Sequence, residues 1–306
     1  MDVFHYHMST AQPANVSPYP TPAQLQDTLT QWAASKPALV RLETIGHSHQ
    51  GRPILAVRLA AGPSERRILF VGGIHGLERV GVAMVLHLLG TLLRGYGGDP
   101  RITSLLGRVE VWGVPLANPD GYAAGRRPNA RGVDLNRNFG VGFATSPLAT
   151  WRRWPFYGGP SPYSEPESQA LKAFAERQRF AIALSFHSFG GLINYPYGHT
   201  RRPPPDAPLL RAIAQEMRRR QPYERYAVRP LSWLYCPRGC LEDDLYESDG
   251  TLAFLLEMMP YFPRLLRPAM LWHRAAWFNA EAGELAHHLG NNLEPALYLI
   301  ELAADP

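Results

Sequence analysis

Strand-like runs alternate along the chain with longer segments that show helical spacing of apolar residues. Two β-rich runs, 39–45 and 53–59, precede three continuous apolar runs at 68–72, 109–115 and 181–186. Continuous apolar runs of this length are typical of strands buried on both faces of a sheet. Helices are predicted at 22–36, 79–93 and 165–179. Strands that alternate with helices predict an α/β fold, with a mixed, mostly parallel twisted β-sheet and helices on both faces.

Two of the predicted helices begin with the same local signal. Thr21 is followed by Pro22 and Gln24, and Ser164 precedes Glu167 by three residues. A hydroxyl at the N-cap and a Gln or Glu three residues later can exchange hydrogen bonds with the backbone in a capping box. We therefore expect a capping box at each of these two helix starts.

The length and composition favour one domain. The chain has 306 residues, of which 45% are apolar, and a chain of this size buries about three quarters of its unfolded surface in a single core. Residues 1–20 are polar and carry several prolines, so they are predicted to be an irregular lead-in. Residues 21–306 are then expected to form the domain, since no repeat or linker interrupts them.

The net charge indicates a mild bias toward anionic substrates rather than nucleic-acid binding. The formal net charge is +5, and the arginine pairs and triplets at 201–202 and 218–220 have no aromatic residues interleaved with them. The longest apolar run, 82–93, is interrupted by His87 and Gly90 and is too short to cross a membrane. No nucleic-acid partner and no membrane association are therefore expected, and the oligomeric state is not predicted.

The cysteines and the first ten residues suggest a cellular compartment for the protein. Cys236 and Cys240 are the two cysteines of the chain, and two thiols do not make a disulfide framework. Free thiols are favoured over a local disulfide. Residues 1–10 include an acidic residue and no apolar core of a secretory signal. The sequence therefore predicts a cytoplasmic protein, with a processed secreted form as the alternative.

A pair of possible metal ligands follows the strand predicted at 68–72. His75 and Glu78 are three residues apart on the turn that leads into the next helix. Zinc hydrolases bind their metal through about three nitrogen or oxygen ligands and keep one position open for water. Such a pair supplies two of these ligands, so the third must come from a distant part of the chain.

Several further motifs occur in a characteristic order after this pair. With it they resemble the zinc carboxypeptidases, peptidase family M14, over residues 20–260. The resemblance implies that family's fold, a carboxypeptidase-like α/β domain. It rests on six further motifs: Asn118-Pro119-Asp120-Gly121-Tyr122, Asp134-Leu135-Asn136-Arg137-Asn138-Phe139, Tyr157-Gly158-Gly159-Pro160-Ser161, Ser164-Glu165-Pro166-Glu167, Phe186-His187-Ser188 and Tyr195-Pro196-Tyr197-Gly198.

The resemblance implies one zinc ion per chain and assigns its ligands. His75, Glu78 and His187 would hold the zinc, and Asp134 would orient His75 from behind. Glu257, on an apolar strand, would be the general base that activates the zinc water.

The same resemblance assigns the substrate-binding residues. Arg127 would polarise the scissile carbonyl, while Asn136 and Arg137 would hold the free C-terminal carboxylate of a peptide or small amide. Tyr235 would be the mobile tyrosine that covers the substrate, and Ser188 lies next to a zinc ligand on the substrate side. The implied function is that of a zinc metallocarboxypeptidase.

The family's specificity position falls on Glu242 when residues are counted from Tyr235 to Glu257. A carboxylate at the base of the side-chain pocket would favour a basic C-terminal residue. The alternative is that residues 242–244 form a solvated acidic loop.

Other functions stay open from the sequence. A murein-peptide amidase, an amide hydrolase of the succinylglutamate desuccinylase or aspartoacylase type, and a catalytically dead binding module share parts of the pattern. Glu284, His287 and His288 imitate a second metal clip on a predicted helix, but a solvated helix face is the favoured interpretation.

Overall fold

The computed structural model describes residues 17–143, 156–260 and 278–305, which contain eight strands, eight complete α-helices and a short 3-10 helix (Leu135–Arg137). The strands are β1 (Val40–His47), β2 (Pro53–Leu59), β3 (Arg67–Gly72), β4 (Glu110–Val114), β5 (Ile182–Gly190), β6 (Leu192–Tyr195), β7 (Ala227–Pro230) and β8 (Leu252–Pro260). The helices are α1 (Pro22–Ser35), α2 (Arg79–Gly95), α3 (Pro100–Leu106), α4 (Pro119–Ala124), α5 (Pro166–Gln178), α6 (Ala207–Arg219), α7 (Leu241–Asp249) and α8 (Ala282–Ala304).

The strands form one mixed sheet in the order β1-β2-β4-β3-β5-β8-β6-β7. The central strands β4, β3, β5 and β8 are parallel to one another. Antiparallel pairs join β1 to β2, β2 to β4 and β6 to β8. The predicted fold class, a mixed and mostly parallel sheet, is confirmed.

Helices cover both faces of this sheet, as predicted. One face packs its apolar residues against α1, α2, α3, α6 and α8, and the other packs against α5 and α7. The strand residues alternate between these two cores. Phe70 lies in the first core and Leu69 in the second, because successive side chains of a strand point to opposite faces.

The order in which successive strands are added to the sheet reverses at β3. The chain passes from β3 to β4 on one side, and then returns to β5 on the other side of β3. In open α/β sheets, such a switch opens a crevice at the carboxyl ends of the strands. The loops that follow β3 and β4 and the ends of β5 and β8 all meet there.

One of the two predicted capping boxes is confirmed and the other is wrong. At the start of α1, Gln24 N donates to Thr21 Oγ1 (3.2 Å) and Thr21 N donates to Gln24 Oε1 (2.9 Å). At the start of α5, Glu165 is the N-cap and no side chain caps the helix. Glu167 instead accepts hydrogen bonds from His49 N and Asn129 Nδ2. A tertiary contact has replaced the local one.

None of the described helices is by itself long and apolar enough to span a membrane. Helices α2 and α3 meet the length and hydropathy requirement only as a pair, and they are bent by 105° where they meet.

Candidate active site

The first two candidate ligands lie on the turn between β3 and α2. Glu78 immediately precedes α2, and His75 lies three residues earlier. Gly76, between them, passes so close to the α4 turn that an added Cβ would lie 2.1 Å from the carbonyl carbon of Gly121. A side chain at Gly76 would push the two turns apart. The absence of a side chain therefore allows the ligand turn to pack closely against the α4 turn.

The third candidate ligand comes from the far side of β3. His187 lies near the carboxyl end of β5, and its Nδ1 is 3.0 Å from His75 Nδ1 and 3.0 Å from Glu78 Oε2. His75 Nδ1 is 2.9 Å from Glu78 Oε1. All three side chains are buried. The structure thus brings together the three residues that were predicted as ligands.

The donor set of this cluster fits a zinc ion. Asp134 Oδ1 lies 3.0 Å from His75 Nε2, so a neutral His75 donates its proton there and turns the bare Nδ1 toward the cluster. Two imidazole nitrogens and a carboxylate then converge on one point. Tetrahedral zinc separates such ligands by about 3.3 Å, given zinc–nitrogen bonds of about 2.0–2.1 Å. The spacing in the cluster is only slightly shorter.

The charges around the cluster are balanced by close ion pairs. Burial alone would raise the pKa of Asp134, but Arg127 and His75 outweigh it and hold that pKa well below its usual value. Glu78 is likewise buried, and the two histidines lower its pKa. Both carboxylates are therefore ionised at neutral pH, which favours a bound cation.

Glu257 faces this cluster from the next strand. It lies on β8, directly opposite His187 in the parallel register with β5. Burial raises its pKa to about 7, and the negative charge of Glu78 adds to the effect. Its Oε2 is buried and accepts no hydrogen bond from the residues that the structure describes. A carboxyl group with these properties is suited to exchange a proton near neutral pH.

Arg127 lies on the loop that follows α4. Its Nε donates to Asp134 Oδ2 (2.9 Å), and its Nη1 donates to Glu78 Oε1 (3.2 Å). Asn118 ties this loop to the ligand turn, since its Nδ2 donates to the carbonyl oxygens of Ile74 (3.1 Å) and Arg127 (3.3 Å). The Asn-Pro-Asp-Gly motif therefore links two parts of the site through its asparagine.

Asn136 and Arg137 lie on a short 3-10 turn that is capped by Asp134. Arg137 Nη2 donates to the hydroxyl of Tyr235 (2.7 Å), and Arg137 Nη1 donates to Cys240 Sγ (3.6 Å). Tyr235 is 48% exposed, unlike the buried ligands. Both cysteines are free thiols, as predicted.

Phe156 is a site residue that the sequence did not indicate. Its ring lies 5.4 Å from the guanidinium carbon of Arg127 and 5.6 Å from that of Arg137. The ring of Tyr235 is 6.5 Å away, centroid to centroid. One aromatic ring therefore contacts both candidate substrate arginines. No periodicity or motif singles out this position.

Glu242 lies in the first turn of α7 and is buried. It accepts hydrogen bonds from the hydroxyl of Ser185 and from Asn136 Nδ2 (3.4 Å). The alternative of a solvated acidic loop is wrong, because residues 242–244 are all buried. Ser185 was not predicted, although it precedes His187 by two residues on β5 and so lies on the same face of the strand.

Ser188 is placed differently from the substrate-facing residues. Its backbone N donates to Glu78 Oε2 (3.2 Å), and its hydroxyl donates to the carbonyl oxygen of Phe278 (2.6 Å). The hydroxyl thus holds the chain just before α8, and a role for Ser188 in substrate binding stays a prediction.

Comparison with known proteins agrees with this geometry. Residues 25–260 match the family described as zinc carboxypeptidase, Peptidase_M14. The chain belongs to this family. Carboxypeptidase A2 of Mus musculus is 29% identical over 265 residues, which are 80% of this chain and 63% of that protein.

Solved structures show the same fold at lower sequence identity. The crystal structure of thrombin activatable fibrinolysis inhibitor has a TM-score of 0.84 and 21% identity, over 94% of this chain and 74% of that one. The murein-tripeptide amidase of Escherichia coli O157 has a TM-score of 0.52 and 23% identity, over 88% of this chain and 98% of that one. The chain spans 50–63% of the length of the first curated relatives that it matches.

The expectation of a cytoplasmic protein is wrong by this comparison. The carboxypeptidases that the chain resembles are secreted proteins. The expectation rested on two cysteines and on the first ten residues. A small number of thiols is compatible with both compartments, because a large hydrophobic core does not need disulfides.

Proposed function

We propose that this chain is a zinc-dependent metallocarboxypeptidase that hydrolyses the C-terminal peptide bond of peptides. One observation carries the proposal: two imidazole nitrogens and the Glu78 carboxylate meet within 3.0 Å, with Glu257 opposite His187 on the adjacent strand. A metal site and a proton acceptor are thereby combined at the carboxyl ends of the strands, where such folds place their active sites.

Glu257 acts as the general base in this proposal. A bound zinc ion would lower the pKa of water and polarise the substrate carbonyl. Glu257 takes the proton of the attacking water and returns it to the leaving amine. Burial raises the pKa of Glu257 toward the working pH, and a group that titrates near that pH can accept and donate the same proton.

Arg127 stabilises the charge that develops on the carbonyl oxygen. Asp134 and Glu78 hold its guanidinium at the cluster, and the ring of Phe156 lies 5.4 Å from its guanidinium carbon. A fixed cation costs no reorganisation at the moment of reaction. Losing one such donor typically costs about 10²–10³ in rate.

Arg137 gives the enzyme its preference for chain ends. Its Nη2 lies on the Tyr235 hydroxyl, and a free carboxylate can take the place of that oxygen in a bidentate pair. Asn136 lies beside it, although its amide nitrogen is turned to Glu242. Tyr235 is exposed and can move away from Arg137 to cover the bound residue.

The side-chain preference is assigned to Glu242. Its carboxylate is buried beside Asn136 and Ser185, next to where the terminal residue would bind. A basic side chain would pair with this charge, while an apolar one would leave it without a counter-ion. Basic C-terminal residues are therefore proposed as the preferred substrates.

Metal removal and a panel of peptides test the activity. Chelation is expected to abolish turnover, and added zinc to restore it. Arg137→Ala should cost about 2–5 kcal/mol in transition-state binding on peptides with a free carboxylate. The matched control Arg202→Ala removes an exposed arginine and should leave turnover unchanged. An equal loss on C-terminally amidated peptides would contradict the role of Arg137.

The same panel separates the alternative functions. Turnover of small amides without turnover of peptides would assign the chain to the amidase or desuccinylase type. Metal binding without turnover of either class would assign it as a binding module.

The specificity proposal has its own test. Glu242→Leu should lower the ratio of basic to apolar C-terminal cleavage, while Glu247→Gln, an exposed acid on the same helix, should not. An unchanged ratio in Glu242→Leu would show that Glu242 does not determine the side-chain preference. The proposed peptidase reaction would not be contradicted by that result.

A further inference from the structure

A second group of possible metal ligands lies between α8 and the loop that precedes β7. His287 and His288 are on α8, and Glu224 is on the loop. One ligand atom from each residue lies within 4.8 Å of the other two, and Glu224 Oε1 is 3.7 Å from His287 Nε2. The acid that the sequence paired with these histidines, Glu284, is not part of the group.

The loop is held against the helix by a buried amide. Asn291 Oδ1 accepts hydrogen bonds from Tyr223 N (3.0 Å) and Glu224 N (2.9 Å), and Asn291 Nδ2 donates to Glu224 O (2.9 Å). The ring of Tyr223 stacks on His287 at 4.8 Å. Backbone and side-chain contacts thus fix the position of Glu224 relative to α8, as a preformed ligand group requires.

Burial differs among the three side chains in a way that suits a metal ion near the surface. His288 is buried, while the side chains of His287 and Glu224 are 43% and 34% exposed. Glu224 Oε2 is nevertheless buried and accepts no hydrogen bond from the described residues. A buried carboxylate oxygen favours a cation as its partner. The exposed side leaves room for a water molecule as a fourth ligand.

We propose that Glu224, His287 and His288 form a second site for a divalent transition metal, namely zinc, which joins the loop before β7 to α8. Two imidazoles and one carboxylate form an established zinc donor set. The distance of 3.7 Å between Glu224 Oε1 and His287 Nε2 is within a few tenths of an ångström of the separation of about 3.3 Å in tetrahedral zinc, and the other two pairs of ligand atoms lie within 4.8 Å. None of these residues belongs to the cluster at the ends of β3 and β5.

Metal counting by mass spectrometry on the full chain, equilibrated with zinc and freed of excess, tests the proposal. The unaltered chain should hold two equivalents. His287→Ala and Glu224→Gln should each hold one and keep their peptidase turnover. His75→Ala should also hold one, and His75→Ala combined with His287→Ala should hold none. Zinc should raise the melting temperature of His75→Ala but not that of the double variant.

Glu284→Gln is the matched control, since it removes a neighbouring acid on the same helix. It should keep both equivalents, and loss of one would show that the metal lies elsewhere on α8. One equivalent in the unaltered chain, lost with His75→Ala, would overturn the second site and leave the proposed function standing. Two equivalents that survive both His287→Ala and Glu224→Gln would overturn it as well. Glu224→Gln keeps the shape of a partly exposed side chain, so a folding defect is not expected.

Discussion

Two clusters in the described part of the chain each combine two histidines with one glutamate. They differ in their burial and in the elements that carry their residues. The strand-end cluster (His75, Glu78 and His187) is buried and draws on two parallel strands. The loop–helix cluster (Glu224, His287 and His288) lies at the surface between a loop and a helix. The same ligand types therefore occur in one setting that is enclosed and one that is open to water.

The surroundings decide which cluster can support hydrolysis. At the strand ends, Asp134 Oδ1 lies 3.0 Å from His75 Nε2, Arg127 donates a hydrogen bond to Glu78, and burial raises the pKa of Glu257 to about 7. At the loop–helix cluster, the contacts with Asn291 hold the backbone of the loop. A set of ligands can be sufficient to bind a metal, whereas hydrolysis also requires an acid, a base and a cation placed around it.

Replacing Glu257 with Gln should have the largest effect, confined to the strand-end cluster. Turnover should fall by about 10²–10⁴ because the amide keeps the shape but cannot accept the proton. Metal content and KM should stay unchanged, and Glu284→Gln serves as the control. Measurement of kcat and bound zinc together checks this. Retained turnover would show that another residue is the general base.

The Glu257→Gln variant also tests the predicted pH dependence of kcat/KM. Only the ionised Glu257 can act as a base, so kcat/KM of the unaltered enzyme should fall as the pH drops through the pKa of this group. That pKa is about 7 in the metal-free chain, and a nearby cation shifts it downward because it favours the carboxylate. The acid limb of the pH–rate profile should be absent from the residual activity of Glu257→Gln.

Replacing Asn291 with Ala should disrupt the loop–helix cluster alone. Three backbone groups of the loop lose their hydrogen-bond partner, so the free energy of unfolding should fall by about 1–3 kcal/mol. The loss is limited because water can partly solvate these groups. One equivalent of zinc should be lost while peptide turnover per folded molecule persists. Urea unfolding with metal analysis measures both. Loss of the strand-end metal as well would show that the two clusters are coupled.

Replacing Asp134 with Asn should weaken metal binding at the strand-end cluster alone. The amide keeps the size of the side chain but not the charge that faces His75 Nε2 and Arg127 Nε. Affinity for zinc there should fall by about 10–100-fold. Competition with a chelator should resolve one weakened and one unchanged site. An equal loss at both sites would contradict the separation of the clusters.

The smallest effect is expected at His199, which lies outside both clusters and has a carboxylate partner but no second imidazole. His199 Nδ1 lies 2.7 Å from Asp243 Oδ2, and this hydrogen bond raises the pKa of His199 above its usual value, although Arg238 opposes and Glu247 supports the shift. A raised folded-state pKa contributes stability below the unfolded pKa of about 6.5, and that stability is lost as the pH rises through the folded pKa.

His199→Gln should therefore lower the free energy of unfolding by less than about 1 kcal/mol, and more so at acidic than at alkaline pH. Urea unfolding at several pH values measures this. Zinc should not change the difference, because one imidazole and one carboxylate do not complete a zinc site. A difference that grows with rising pH would contradict the assigned sign.

Local sequence signals predicted much of the fold. The continuous apolar runs became the central strands β3, β4 and β5, since only strands buried on both faces are apolar throughout. The first capping box was also correct, because its partners are three residues apart. The second was wrong because Glu167 accepts hydrogen bonds from His49 and Asn129, which are distant in sequence.

Motifs and their order identified the candidate ligands His75, Glu78 and His187 without any structure. They named the residues of the strand-end cluster, but they favoured a solvated face for Glu284, His287 and His288 on α8, where the structure buries His288 and places Glu224 near both histidines. Only the tertiary structure brought Glu224 to His287, set Glu257 opposite His187 and placed Phe156 against two arginines. The reason is physical: a contact between distant segments depends on how strands align and helices pack, and no local pattern records that alignment.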